Sequence, residues 1–125
     1  MGSPGKRLLS LDDDVSILSI IKEVATPLGF EVTVLSDSTR FMTTYVRLKP
    51  DVITLDVMMP DMDGIEVIRW LGDIGSTASI IIISGHSVYL KLGKKLADVK
   101  GSLTTTLLRK PFSLVELRAA LTTAA

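Results

Sequence analysis

Acidic and other reactive side chains stand where the apolar runs of this sequence end. Asp12 and Asp13 follow the first such run, and Asp56 closes the third. Ser84 follows four isoleucines, and Lys110 comes after the last run. Crowded carboxylates repel one another unless a cation lies between them, and oxygen ligands without thiolates favour Mg²⁺ or Ca²⁺. Magnesium beside a carboxylate, a hydroxyl and a lysine is typical of phosphoryl transfer, in which a carboxylate can itself be the nucleophile.

These side chains can meet only if the apolar runs form one sheet. The runs alternate along the chain with segments whose apolar residues recur at helical spacing. Five strands alternating with five helices predict an α/β fold, a doubly wound (βα)5 three-layer sandwich around a parallel five-stranded sheet. Sites in such sheets form at the carboxyl ends of the strands, so the reactive residues are predicted to share one edge. The predicted strands are 8–11, 31–35, 51–56, 80–83 and 103–108, and the predicted helices are 15–28, 38–48, 65–71, 87–99 and 113–122.

Two helices carry clear start signals. Ser113 and Glu116 form a Ser-x-x-Glu capping box, and Phe112 and Leu117 occupy the positions of a hydrophobic staple around it. Asp14 precedes the first helical segment and is interpreted as its N-cap rather than as a ligand.

Composition excludes several kinds of protein. The chain has 125 residues, which predicts one domain over 6–125 behind a short tail at 1–5. It has no cysteine and one histidine, His86, so disulfides, thiolate sites and a multi-histidine zinc centre are excluded. No stretch approaches the length of a membrane span and no signal sequence is present, so we expect a cytoplasmic protein without membrane contact. Aromatic residues make up 5% and the net charge is zero, so nucleic acid is not an expected direct ligand.

Four motifs together resemble a known family. The chain is similar to the receiver domain of two-component response regulators over residues 6–124, and the motifs fall in the family's order. They are the first strand with its acidic group, Leu-Leu-Ser-Leu-Asp12-Asp13-Asp14; the phosphoacceptor segment, Asp51-Val-Ile-Thr-Leu-Asp56-Val-Met-Met-Pro60-Asp-Met-Asp-Gly64; the switch hydroxyl strand, Ile-Ile-Ile-Ile-Ser84-Gly85-His86; and the lysine motif, Lys110-Pro111-Phe112.

The resemblance implies a CheY-like, flavodoxin-like fold with strand order 2-1-3-4-5. It implies a phosphoprotein of phosphorelay signal transduction in which Asp56 accepts a phosphoryl group from a histidine kinase or a histidine phosphotransfer protein. The signal would pass to an output domain or a downstream protein, and phosphorylation-dependent dimerisation is a further expectation. Such a domain is not an enzyme acting on other substrates, because it catalyses only its own phosphorylation and dephosphorylation.

The resemblance also implies roles for the site residues. The Mg²⁺ ligands would be Asp12, Asp13, Asp56 and the backbone carbonyl of Met58. Ser84 and Lys110 would bind the phosphoryl oxygens. The Lys110–Pro111 peptide bond would be cis.

The chain departs from the family's pattern at two places. The family usually has tyrosine or phenylalanine three residues before the lysine, and here that residue is Leu107. Activation by rotation of a buried aromatic ring is therefore not expected. The segment from the fourth helix to Lys110 is also long, which resembles receivers tied to cyclic-di-GMP signalling.

Three other interpretations share parts of this pattern. A pseudo-receiver would fold in the same way and act as an interaction module without phosphorylation. The segment Asp61-Met-Asp63-Gly64 is similar to the Asp-x-Asp-Gly motif of haloacid-dehalogenase-like phosphatases, although Pro60 separates it from the strand and the two aspartates fit turn chemistry. A flavodoxin-like cofactor binder is disfavoured, because the aspartates after the first strand would repel an FMN phosphate.

Overall fold

One parallel sheet organises the molecule. The computed structural model describes residues 6–59 and 62–125. In that part of the chain, five strands form the sheet in the order β2-β1-β3-β4-β5, which confirms the predicted doubly wound topology. The strands are β1 Arg7–Leu11, β2 Glu31–Leu35, β3 Val52–Asp56, β4 Ser79–Ser84 and β5 Thr104–Arg109, and the helices are α1 Val15–Ala25, α2 Phe41–Leu48, α3 Gly64–Asp73, α4 Ser87–Lys100 and α5 Leu114–Ala124.

The sheet separates two apolar cores. Helices α1 and α5 cover one face, where Ile21 and Leu117 pack with strand residues such as Ile81. Helices α2, α3 and α4 cover the other face, where Phe41 and Ile68 join the core. The three central strands are buried on both faces, which explains why they appear in the sequence as continuous apolar runs. None of the helices in the described residues is long and apolar enough to cross a membrane.

The helix starts agree with the capping signals. The Asp14 carboxylate accepts hydrogen bonds from the backbone N–H and the hydroxyl of Ser16, so its predicted role as the N-cap of α1 is confirmed. Ser113 and Glu116 form the reciprocal capping box predicted for α5. The bonds from backbone N–H groups satisfy donors that the start of a helix leaves free.

Two predicted helices are shorter than expected. The predicted helix 15–28 divides into α1 and a 3₁₀ turn over Thr26–Leu28. Gly29, at φ 96°, ends that turn in the left-handed conformation that suits glycine. The predicted helix 38–48 likewise begins as a 3₁₀ turn over Ser38–Arg40, so the α-helical part starts at Phe41.

The loop after β3 contains structure that the sequence did not predict. Met58–Met59 pairs antiparallel with Met62–Asp63, between the predicted strand 51–56 and the predicted helix 65–71. Strands of two residues are too short to show an alternating pattern. Pro60, which separates the Asp-x-Asp-Gly segment from the strand, and Asp61, which was assigned to turn chemistry, lie outside the described residues. The last strand is also displaced by one residue from its prediction, because Arg109 pairs with Ser84 at the end of the ladder.

Candidate functional site

The carboxyl ends of four strands bring the predicted site residues to one edge. Asp12 follows β1, Asp56 ends β3, Ser84 ends β4 and Lys110 follows β5. Backbone hydrogen bonds continue past the strands: the N–H of Lys110 donates to the carbonyl of Ser84 over 2.9 Å, and that of Val57 to the carbonyl of Ile83 over 3.1 Å. The edge is therefore an extension of the sheet, and its side chains are held by ladder geometry.

A lysine ammonium lies between two buried carboxylates. Nζ of Lys110 is 3.0 Å from Oδ2 of Asp12 and 3.1 Å from Oδ2 of Asp56. Both aspartates are buried. Charges removed from water are costly unless they are paired, so the ammonium compensates for two carboxylates that would otherwise repel each other. The peptide bond from Lys110 to Pro111 is cis, as the family resemblance implied.

Backbone amides hold the other carboxylate oxygens. Oδ1 of Asp12 accepts the N–H of Asp14, and Oδ1 of Asp56 accepts the N–H of Met58, each over 2.9 Å. Oδ2 of Asp12 has its ion pair with Lys110 but no hydrogen bond of good geometry within the described part of the chain. One buried, charged oxygen is therefore incompletely satisfied, which is a suitable environment for a cation.

The pKa values of Asp12 and Lys110 reflect the balance between burial and charge pairing. Burial raises the pKa of Asp12 to about 6, and the neighbouring charge of Asp56 adds to the rise, whereas the hydrogen bond from the Asp14 backbone N–H and the contact with the Lys110 ammonium lower it. Burial also lowers the pKa of Lys110, but the bonds and charges of the two aspartates outweigh this, so its pKa is raised overall. Lys110 is therefore positively charged at neutral pH.

A third carboxylate completes a metal-sized cluster. Asp12, Asp13 and Asp56 each offer an oxygen, and these oxygens lie within 4.8 Å of one another. Asp13 is exposed, so the cluster opens to solvent on one side. An all-oxygen donor set with room for water and phosphate oxygens fits Mg²⁺. Met58 contributes an amide to Asp56, and a metal contact of its carbonyl stays a prediction.

Ser84 is buried with its hydroxyl oriented by the next loop. Its Oγ accepts the backbone N–H of His86 over 3.0 Å. This bond uses a lone pair and leaves the hydroxyl hydrogen available for donation. Within residues 6–59 and 62–125, no hydrogen bond joins the hydroxyl to Asp56 or to Lys110. The structure thus brings Asp12, Asp56 and Lys110 into direct contact and places Ser84 beside them on the neighbouring strand.

Comparison with known proteins identifies the family. The sequence profile of the response regulator receiver domain matches residues 8–122, a range that includes every predicted site residue. The chain is a response regulator receiver domain. This membership decides against the phosphatase and cofactor-binding interpretations.

Relatives of the receiver domain include a protein of similar length and longer regulators. The chain is 37% identical over 81 residues to the chemotaxis protein CheY of Thermotoga maritima, a match that covers 64% of this chain and 68% of the relative. It is 36% identical to the regulatory protein VirG of Agrobacterium tumefaciens over 94% of this chain but only 43% of VirG. A response regulator from Colwellia psychrerythraea has a similar structure, with a TM-score of 0.79 at 36% identity over 94% of each chain.

Two site-proximal residues of the receiver were missed by sequence reasoning. Ser10 and Thr54 are fully buried and hydrogen-bonded to each other beneath Asp12 and Asp56. Both sit inside apolar runs, which conceal them. The signal was available, because the spacing Leu-x-Ser-x-Asp in β1 is repeated as Val-x-Thr-x-Asp in β3.

Leu107 lies on the open edge of the sheet. It belongs to β5, pairs in register with Ile82 and has 38% of its surface exposed. The next residue, Leu108, points into the core. The position of the family's aromatic residue is thus occupied here by a partly exposed aliphatic side chain.

Proposed function

We propose that this receiver domain accepts a phosphoryl group on the Asp56 carboxylate, from a phosphohistidine of a histidine kinase or phosphotransfer protein, in a Mg²⁺-dependent reaction. The observation that carries the proposal is the Lys110 ammonium held between the buried carboxylates of Asp12 and Asp56. The buried Asp56 carboxylate can act as the nucleophile, and the fixed Lys110 ammonium can neutralise the negative charge of the transferring phosphoryl group.

Asp56 is the group that reacts. One of its oxygens attacks phosphorus, the P–N bond of the phosphohistidine breaks, and the imidazole leaves with its electron pair and takes up a proton. The product is an acyl phosphate. The Met58 amide holds Oδ1 of Asp56 and Lys110 holds Oδ2, so the carboxylate is oriented before the donor arrives.

Asp12, Asp13 and Asp56 would hold the magnesium ion, together with the Met58 carbonyl. The bound ion supplies charge neutralisation for the carboxylates and for the transferring phosphoryl oxygens. The incompletely satisfied Oδ2 of Asp12 and the solvent-facing Asp13 support this assignment.

Lys110 and Ser84 stabilise the product. The phosphoryl group brings nearly two negative charges into an acidic pocket. Lys110 pairs with its oxygens, and Ser84 donates its free hydroxyl hydrogen to another. Because the acyl phosphate is hydrolysed within the same pocket, the domain acts only on itself, and the signal ends when water removes the group.

Output belongs to an output domain or to a downstream protein. Several relatives, such as MtrA of Mycobacterium tuberculosis, are named DNA-binding response regulators, and the match covers 41% of that protein. We assign residues 6–125 to the receiver, place it in the cytoplasm with its kinase, and assign nucleic-acid contact to an output partner because the receiver site is acidic.

The experiment is phosphorylation followed by mass spectrometry of the intact protein. Acetyl phosphate with Mg²⁺ should add one phosphoryl group to the wild type and none to Asp56→Asn. Asp51→Asn, at the opposite end of the same strand, is the matched control and should be labelled normally. A label on Asp12 or Ser84 would refute the assignment, and the absence of any label with acetyl phosphate or a phosphorylated kinase would favour a pseudo-receiver.

A further inference from the structure

Two neighbouring strands share one unusual pattern. On one face of β1 and of the residue that follows it, the side chains change from Leu8 to Ser10 to Asp12, and β3 repeats this order of apolar, hydroxyl and carboxylate side chains. Residues two apart on a strand face the same side of the sheet. Both series face the core formed with α1 and α5, where Leu8 and Val52 lie.

The hydroxyl residues are direct partners. Ser10 and Thr54 are opposite each other in the β1–β3 register, their hydroxyls are hydrogen-bonded, and each is 0% exposed. We call Ser10 and Thr54 the hydroxyl pair. Its lateral neighbours on the same row are Val34 on β2 and Ile81 on β4, so the pair is an isolated polar contact between apolar side chains. The row above it carries Asp12 and Asp56.

Burying the hydroxyls of Ser10 and Thr54 costs free energy. Their hydrogen bond offsets this cost only in the register in which the two residues stand opposite each other. A buried hydroxyl without a partner is strongly unfavourable, so any slip of β1 against β3 is penalised twice. Apolar side chains at these positions would not impose this pairing, because the hydrophobic effect is not directional. The hydroxyl pair thus specifies which residues of β1 and β3 stand opposite each other.

The pair also lies directly below two carboxylates that repel each other. Carboxylate oxygens of Asp12 and Asp56, in the row above the pair, lie within 4.8 Å of each other, and like charges at this distance repel. Lys110 compensates from the open end of the site, and the hydroxyl pair joins the strands from below.

We propose that the hydroxyl pair is a positioning pair: the Ser10–Thr54 hydrogen bond holds β1 and β3 at the offset and spacing at which Asp12 and Asp56 bind one divalent cation. The proposal rests on the metal site of the proposed function. Ser10 and Thr54 thus affect cation binding by Asp12 and Asp56, and this effect is separate from their contribution to the stability of the fold.

Paired variants separate positioning from stability. The double variant Ser10→Ala/Thr54→Val removes both hydroxyls, so it leaves no unpaired polar group and should fold with near wild-type stability. Ser10→Ala and Thr54→Val each leave one hydroxyl unpaired and should be less stable. Thr54→Ser keeps the bond. Ile81→Val, on the same row of β4, is the control for general loosening of this core.

The readout is the Mg²⁺ dissociation constant, measured by calorimetry on folded protein, with acetyl phosphate labelling as a second measurement. We expect affinity to fall about tenfold in the double variant and in both single variants, the lower end of the effect of removing groups that orient metal ligands. Thr54→Ser and Ile81→Val should bind as the wild type does. A double variant with wild-type affinity would overturn the proposal, as would an equal loss in Ile81→Val or a wild type that binds no Mg²⁺.

The two proposals fail differently. A wild type that binds Mg²⁺ but is never labelled on Asp56 refutes the proposed function, and the hydroxyl pair is still judged by the dissociation constants. If the double variant does not fold, the comparison of Thr54→Ser with Ser10→Ala decides: equal affinities overturn the positioning role, and a loss confined to Ser10→Ala supports it.

Discussion

Nζ of Lys110 lies 3.1 Å from Oδ2 of Asp56, although 54 residues separate them in the chain. The same nitrogen lies 3.0 Å from Asp12, so one cation serves two buried carboxylates. Removing the ammonium leaves two buried carboxylates without a compensating positive charge, and such changes destabilise proteins strongly. The pairing therefore links the stability of the fold to the ionic state of the site.

The first prediction concerns this shared cation. Lys110→Ala should lower the melting temperature in Mg²⁺-free buffer, and millimolar Mg²⁺ should raise it by more than in the wild type, because the added cation replaces the missing ammonium. Lys95→Ala, an exposed lysine on α4, is the control and should behave as the wild type. Equal Mg²⁺ shifts in Lys110→Ala and wild type would contradict the compensation argument. In a reconstituted pathway, Lys110→Ala should accept phosphate slowly and fail to transmit the signal.

The second prediction concerns the metal ligands. A ligand that binds only the folded state stabilises it, so Mg²⁺ at one hundred times its dissociation constant should add about 2.7 kcal/mol to the wild-type free energy of unfolding. Asp13→Asn should abolish this gain at little cost in the apo protein, because Asp13 is exposed. Asp14→Asn removes a charge from the adjacent position and keeps an N-cap side chain, so it should retain the gain. The reverse result would make Asp14 the ligand.

The third prediction concerns the close approach of α3 to the residue after Asp56. A Cβ on Gly64 would lie 2.4 Å from Cα of Val57, a backbone atom that cannot move aside without displacing the site. Gly64→Ala should therefore lower the free energy of unfolding by about 1–3 kcal/mol and slow labelling of Asp56. Gly85→Ala meets no atom within 4 Å and should fold at least as stably as the wild type. Urea denaturation of both variants tests this contrast, and equal losses would contradict it.

The fourth prediction is a pH dependence at the 3₁₀ turn Ser38–Arg40, which precedes α2. The backbone N–H of Thr39, and then its hydroxyl, lower the pKa of Asp37 below its ordinary value of 3.8. A depressed pKa in the folded state means that the ionised group stabilises the fold above about pH 4, and that this stabilisation is lost as the pH falls through the folded-state pKa. Asp37→Ala should thus be less stable than the wild type at pH 7, with the gap closing toward pH 3. A gap independent of pH would show that the charge plays no part, and Asp37→Asn, a neutral cap, should lie between the two at pH 7.

The sequence was sufficient for the architecture and for the location of the site. Buried parallel strands are continuous apolar runs, and the topology requires that their carboxyl ends meet, so the approach of Asp56 to Lys110 followed from their positions after β3 and β5. The starts of α1 and α5 were also predictable, because Asp14 and Ser113 make their capping bonds within the first turn of their own helices.

Contacts that depend on strand register were not predictable in this way. Ser10 and Thr54 are 44 residues apart, and only a comparison of the two strands, in which each hydroxyl residue comes two before an aspartate, indicates that they stand opposite each other. The short pair Met58–Met59 with Met62–Asp63 is too brief for periodicity. The position of Ser84 was predicted, but the bond from the His86 amide that orients its hydroxyl depends on the backbone path of a loop.

The last prediction is that activation proceeds without movement of a ring on β5. Leu107 is partly exposed and carries no hydroxyl, so it cannot transmit phosphorylation by rotating into the interior as an aromatic ring would. The two ends of α4 differ in how they are held. At the N-terminal end, His86 makes no side-chain cap bond, and a Cβ added to Gly85 would meet no atom within 4 Å. At the C-terminal end, the Lys100 stem packs on Gly72 and its ammonium pairs with Asp73 over 2.5 Å.

A shift of the Ser84 hydroxyl toward the phosphoryl group should therefore move the free end of α4 and leave the anchored end in place. Beryllofluoride, a stable mimic of the phosphoryl group, should change backbone chemical shifts mainly in residues 85–95, with small changes at Leu107 and near Lys100. Leu107→Tyr restores an aromatic ring at this position of β5, so in this variant the chemical-shift changes should extend into β5. A ligand shifts a two-state equilibrium only by its differential affinity for the two states, and a ring that moves adds to that difference. Large changes centred on β5 in the wild type, with residues 85–95 unchanged, would refute this mechanism.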